Sequence, residues 1–175
     1  LAKYLFQESG HSVSGILLKG HGTNPDDMLN AGFKDWIDQV SVEYVKLSNE
    51  FENVIIVGHS MGGLLGLVAA EKFAVTKLIT IAAPVILKSK IAAFSSILGL
   101  FRKYKIWNES SYNKINNFQQ KFNIGYDKTP IKSISEFIKL QKEADKSLHK
   151  IKCPVLVFQA SYDSAVDVKS YDKIK

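Results

Sequence analysis

The amino-acid sequence predicts an α/β fold: a mostly parallel sheet flanked by helices, with a helical segment inserted into it. Three observations carry that prediction. Short apolar, β-branched runs stand at 53–57, 77–82 and 155–160, as buried strands require. Segments of helical hydrophobic spacing alternate with them, which argues for parallel strands joined by helices. The stretch 85–152 contains no good strand and is rich in Phe, Ile, Tyr and Lys, as an insertion of several short helices would be. No internal repeat or low-complexity tract is present.

Taken in order, residues 1–9 read as the end of a helix closed by Gly10. Residues 12–18 form a β-compatible apolar run that ends at Gly20-His21-Gly22. Thr23-Asn24-Pro25-Asp26-Asp27 has turn chemistry. Phe33, Trp36, Ile37, Val40, Tyr44 and Leu47 then recur at helical spacing, predicting an amphipathic helix of about four turns. Residues 53–57 (Asn-Val-Ile-Ile-Val) suit a strand covered on both faces. A helix follows over 63–73, then the strand 77–82 ended by Ala83-Pro84, and the strand 155–160 preceded by Pro154. The expected organisation is a core of 1–85 and 153–175, with a helical cap inserted as 86–152.

At 175 residues and 46% hydrophobic, the chain can build one domain with a real core. It opens on Leu1 inside a helical pattern, so it reads as a piece of a longer polypeptide. Cys153 is the only cysteine, which excludes an internal disulfide and suits a reducing, cytoplasmic setting. No leader pattern opens the chain, and the longest apolar runs, 78–87 and 91–101, are too short to span a bilayer. Net charge is +6, yet Arg102 is the only arginine among 23 basic residues. A nucleic-acid reader needs arginine forks, so nucleic acid is not the expected partner.

The chemistry concentrates at Gly58-His59-Ser60-Met61-Gly62. A Gly-x-Ser-x-Gly pattern directly after a buried strand and directly before a helix is a nucleophile elbow. A serine on so tight a turn holds a strained backbone, and side chains two residues before and after are expected to collide with it. The turn sets the Ser60 hydroxyl at a helix N-terminus, where developing negative charge is favoured. The main-chain N–H of Met61 is the expected oxyanion donor; a second donor would come from a strand preceding Leu1.

A serine hydroxyl needs a base, and the base an orienting carboxylate. On this fold the chain order is serine, acid, histidine. Asp163, in the loop after the third strand, is the expected acid. Its rival Asp167 reads as the cap of the next helix. No histidine follows Asp163. His59 points away from its neighbour Ser60, His11 and His21 read as strand-start and turn residues, and His149 precedes the acid. The base is therefore expected beyond Lys175.

Lys19-Gly20-His21-Gly22, Asp35-Trp36, Gly58 to Gly63, Ala82-Ala83-Pro84, and Cys153-Pro154-Val155 through Asp163 together resemble the bacterial carboxylesterase and monoacylglycerol-lipase branch of the α/β-hydrolases. The Thr129-Pro130 pair with its following helix is similar to the esterase subgroup. The resemblance covers nearly the whole chain. It implies an α/β-hydrolase fold and hydrolysis of carboxylic esters through an acyl-enzyme, with no metal or cofactor. It maps the nucleophile to Ser60, the acid to Asp163 and an oxyanion donor to Met61.

The insert carries 12 Lys and Arg against 5 Asp and Glu over 86–148. Ile91, Phe94, Leu98 and Phe101 would share one face, beside Arg102, Lys103 and Lys105. That face either roofs an acyl pocket, its lysines solvated, or makes weak contact with a lipid surface. The substrate expected is a short- to medium-chain acyl ester or monoacylglycerol. Two alternatives stand: an incomplete hydrolase body that binds acyl ligands without turnover, and an acyltransferase or perhydrolase using the same serine.

Overall fold

The computed structural model describes residues 2–88, 103–106 and 126–175. Its sheet is parallel, as the sequence predicts. Strand β1 (Ile55–His59) pairs with β2 (Lys77–Ile81), which pairs with β5 (Val155–Phe158). Gly58 stands opposite Thr80, and Thr80 opposite Val157. β1 runs two residues further than expected, so the strand continues through Gly58 and His59 up to Ser60. Helix α3 (Met61–Lys72) then starts at once.

Helix α3 is apolar all round, and Gly63 through Ala70 are buried. One side lies on the sheet so closely that a Cβ on Gly66 would come within 2.8 Å of Leu78 Cδ1. Its other sides meet α2 (Phe33–Glu50) and α4 (Ile131–Ser147). Trp36, Leu64, Leu67, Leu78 and Leu140 are all within 1% of complete burial. Each is worth roughly 1.5–3 kcal/mol relative to exposure, so this three-helix layer supplies the core.

The start of α2 is fixed by two carboxylates. Gly32 donates its N–H to Asp35 Oδ2 at 2.8 Å, and Phe33 donates to Glu136 Oε2 of α4 at 3.1 Å. Trp36 donates Nε1–H to Lys19 O at 3.0 Å, anchoring the Gly20-His21-Gly22 loop. Gly20 needs its φ of +81°, and a Cβ there would meet Met28 Cα at 2.8 Å. Helix α1 (Ala2–Ser9) ends at Gly10, whose φ is +67° and whose N–H bonds Phe6 O, as the sequence predicts.

Three expectations need correction. The run 12–18 is not a strand. Its composition suits one, but a strand also needs a ladder partner. Its polar groups go instead to side chains of α2: Ser14 Oγ donates to Glu43, and Leu17 O accepts from Gln39 Nε2. The strand 53–57 is not covered on both faces. Ile55, Val57, Leu156 and Phe158 share the face away from α3 and are 41–53% exposed. Among the described residues, α2 and α4 pack on α3 rather than across that face.

The stretch 85–152 does hold strands: β3 (Tyr104–Ile106) and β4 (Lys128–Pro130) pair antiparallel. Three residues are too few for an alternating pattern to show. The same stretch holds α4, a 17-residue helix whose Leu140 and Ala144 are fully buried in the core cluster with α3. Ile91, Phe94, Leu98, Phe101 and Arg102 lie outside the described residues. No described helix is long and apolar enough to cross a membrane.

Candidate active site

Ser60 is the whole connection between β1 and α3. Its backbone sits at φ 52°, ψ −119°, a region an L-residue enters only when the surroundings force it. Such a conformation costs of order 1–3 kcal/mol. Ser60 N–H donates to Ile81 O at 2.8 Å, and Ser60 O accepts from Gly63 at 2.9 Å. The corner also requires glycine at position 58, where a Cβ would stand 2.3 Å from Gly62 O. Gly62 differs from expectation: a Cβ there meets nothing within 4 Å among the described residues. The second tight contact is instead at Gly63, whose added Cβ would lie 2.7 Å from Ala83 Cβ.

Ser60 is half-buried at the head of a 12-residue helix. Met61 opens that helix, and its N–H is among the first-turn donors that a helix leaves without intrahelical partners. Both features favour negative charge beside Ser60.

Asp163 lies in the turn after β5. Because β1, β2 and β5 are parallel neighbours, Ser60 and Asp163 both follow the carboxyl ends of strands, and those strands lie two spacings or roughly 10 Å apart. Asp163 Oδ1 accepts from Ala165 N at 2.8 Å and from Val166 N at 3.0 Å. The Val166 and Ala165 N–H groups, with smaller help from the charges of Lys88 and His59, hold its carboxyl below the usual carboxylate range. No partner of Oδ2 stands among the described residues. Asp167 instead accepts from Lys169 N at 3.0 Å, opening helix α5 (Lys169–Ile174).

The four histidines are placed apart from this pair's hydrogen bonds. His11 and His149 are exposed, and His11 Nδ1 lies 3.0 Å from Ser9 O. His21 packs edge-on to Trp36 at 5.9 Å between ring centroids. His59 is exposed at the end of β1 and reaches Asp163 through charge alone. Among the described residues, no cluster of His, Cys, Asp or Glu could hold a metal ion.

Two features of the rim gave no signal in the sequence. Ala82, directly after β2 and between the two sites, takes φ 49° while its N–H bonds Phe158 O at 2.8 Å. An alanine carries no mark of such a conformation. The other is Lys88, whose Nζ donates to Asp163 O at 2.5 Å across 75 positions of sequence.

Comparison with known proteins agrees with this architecture. The family described as Hydrolase_4: Serine aminopeptidase, S33 matches residues 1–174. A carboxylesterase of Bacillus subtilis is 26% identical over 97% of this chain and 68% of its own. A thermostable monoacylglycerol lipase of a Bacillus species is 31% identical over 97% of this chain and 66% of its own. The chain thus spans about two thirds of the length of these relatives. A structure from work on two metagenome-derived lipolytic enzymes superposes with a TM-score of 0.84 at 23% identity, covering 98% of this chain and 71% of that one. A soluble variant of the Saccharomyces cerevisiae monoglyceride lipase gives 0.60 at 16% identity, over 81% of this chain and 54% of that one. At those identities the structures speak to the fold alone.

Proposed function

Because this chain belongs to the Hydrolase_4 family of serine hydrolases, described as serine aminopeptidase S33, we propose that it is the body of a serine carboxylesterase. Its substrates are short- to medium-chain acyl esters or monoacylglycerols. The observation that carries this is the backbone of Ser60, forced to φ 52° at a strand-to-helix corner that only glycine at position 58 permits. Ester rather than peptide substrates are supported by the two Bacillus relatives, both named as ester hydrolases.

Ser60 Oγ attacks the acyl carbonyl carbon while its proton passes to an imidazole base. The tetrahedral oxyanion is met by Met61 N–H, the alcohol leaves with the proton, and water then releases the acid from the acyl-serine. Asp163 orients the imidazole and balances its charge while it is protonated. In the same proposal 86–152 supplies a cap over the acyl site, its basic face either solvated or resting weakly on lipid, while α4 at the end of that segment belongs to the packed core with α3.

The test is covalent labelling of the full-length protein with a fluorophosphonate, followed by hydrolysis of p-nitrophenyl butyrate. The label should sit on Ser60, and Ser60→Ala should lower turnover by roughly 10⁴-fold or more. An unlabelled Ser60 in an otherwise folded protein overturns the proposal. One observation favours a second reading, an acyl-binding body without turnover: none of the four histidines is hydrogen-bonded to Ser60 or Asp163 among the described residues. Ester turnover by the 175-residue chain, lost on Ser60→Ala, would remove it.

A further inference from the structure

The turn that carries Asp163 is held from outside as well as by its own bonds. The chain leaving β2 runs antiparallel beside it, with Leu87 bridged to Val166. Asp167 N–H donates to Ile86 O at 2.9 Å. Ile86 N–H donates to Ser170 Oγ at 2.9 Å, and that hydroxyl donates back to Ile86 O at 3.1 Å. Lys88 ends this zip and contributes two donors. Its main-chain N–H reaches Ala165 O at 3.0 Å, and its Nζ reaches Asp163 O at 2.5 Å. The two accepting carbonyls flank Ser164. Between them lies the turn that aims Ala165 and Val166 N–H groups at Asp163 Oδ1.

We propose that Lys88 is a positioning residue for Asp163, bracing both sides of its turn so that Oδ1 stays on the main-chain donors and Oδ2 is held for an imidazole. The inference rests on the esterase reading for its consequence in catalysis, though not for the brace itself. An ammonium-to-carbonyl bond is charge-assisted and therefore stronger than the neutral bonds around it. Lys88 is exposed, so water screens its field, and its geometric hold matters more than its charge. Among the described residues, two charged or titratable groups bear on the Asp163 carboxylate: Lys88 from the chain after β2 and His59 from the end of β1. Lys88→Met removes the Nζ donor and leaves the main-chain zip intact. Lys88→Arg keeps a cationic donor of similar reach.

The experiment has two arms on the full-length protein. In the first, the Asp163 carboxyl is titrated by carbon-detected NMR. Lys88→Met should raise its pKa and Lys88→Arg should restore it, with the thermal midpoint of unfolding unchanged in both. A titration that does not move in Lys88→Met overturns the brace, whatever the activity. The second arm is the pH profile of ester hydrolysis. Lys88→Met should lower kcat about 10-fold with KM little changed, the loss expected of a displaced catalytic group. Its acid limb should move to lower pH, because a carboxylate out of position stabilises the imidazolium less; a shift to higher pH would report loss of charge alone and count against the brace. A moved titration with an unaltered kcat and pH profile would sink the positioning role. A moved titration in a parent that shows no ester turnover would count against the esterase reading alone.

Discussion

Ser60 and Asp163 stand on one rim of the sheet and are held there by different physics. Ser60 is fixed by exclusion: the chain must turn within a single residue, and only an absent side chain at Gly58 leaves room. Asp163 is fixed by attraction, through two main-chain N–H groups at 2.8 and 3.0 Å and a lysine from a remote segment. A steric requirement admits one residue type and writes itself into the sequence as a spacing. A hydrogen-bonded turn draws on donors that every residue carries, so it leaves little trace.

The sharpest way to separate the two is Asp163→Asn. The amide oxygen can still accept from Ala165 and Val166, so the turn should keep its shape while the carboxylate's charge is lost. Turnover of p-nitrophenyl butyrate should fall by roughly 10⁴-fold, as when a triad acid becomes an amide. The stability effect should be confined to pH. Asp163's carboxyl is lowered on folding, chiefly by the Val166 N–H, so its contribution is fully present above the unfolded carboxylate pKa and lost as pH falls through the folded value. Urea unfolding of parent and variant should therefore converge at acid pH; equal spacing at every pH would show that the carboxylate's ionised bonds add nothing.

The steric half of the comparison is probed by the paired glycines. Gly58→Ala places a methyl 2.3 Å from Gly62 O and should destabilise by about 3 kcal/mol or more in chemical unfolding, with fluorophosphonate labelling lost alongside. Thr80, opposite Gly58 on β2, is fully buried and its Oγ1 has no hydrogen-bond partner among the described residues. Thr80→Val should stabilise by about 1 kcal/mol, since it removes an unmet polar group and keeps the shape. The smallest effect has the opposite sign to the first glycine: Gly62→Ala meets nothing within 4 Å among the described residues, in the first turn of α3, and should stabilise by roughly 0.5–1 kcal/mol. Equal damage from both glycine variants would contradict the one-sided corner described above.

These contrasts also explain what could be read without coordinates. The strands β1, β2 and β5 are legible in continuous apolar runs and α2 in the 3.6-residue period of its buried stripe, while α3 is apolar all round and shows no stripe. The Gly58 spacing marks the corner, while the clash expected at Gly62 falls instead at Gly63 against Ala83. Residues 12–18 were misread because composition reports suitability for a sheet and not the presence of a neighbour. β3 and β4 were missed because three residues carry no period. Chain order singles out Asp163 as the expected acid, but nothing in the sequence marks Lys88 or the twisted Ala82, since one acts over 75 positions and the other is an ordinary alanine.

The zip between 86–88 and the Asp163 turn bears on how such proteins can be recombined. A natural place to join a foreign segment would be just after Pro84, where the second strand ends. A chimaera joined there would discard Ile86, Leu87 and Lys88, and with them the scaffold of a residue 75 positions away. A graft spliced downstream of Lys88 keeps the recipient's Asp163 turn intact, so a junction for segment exchange belongs several residues past the end of β2.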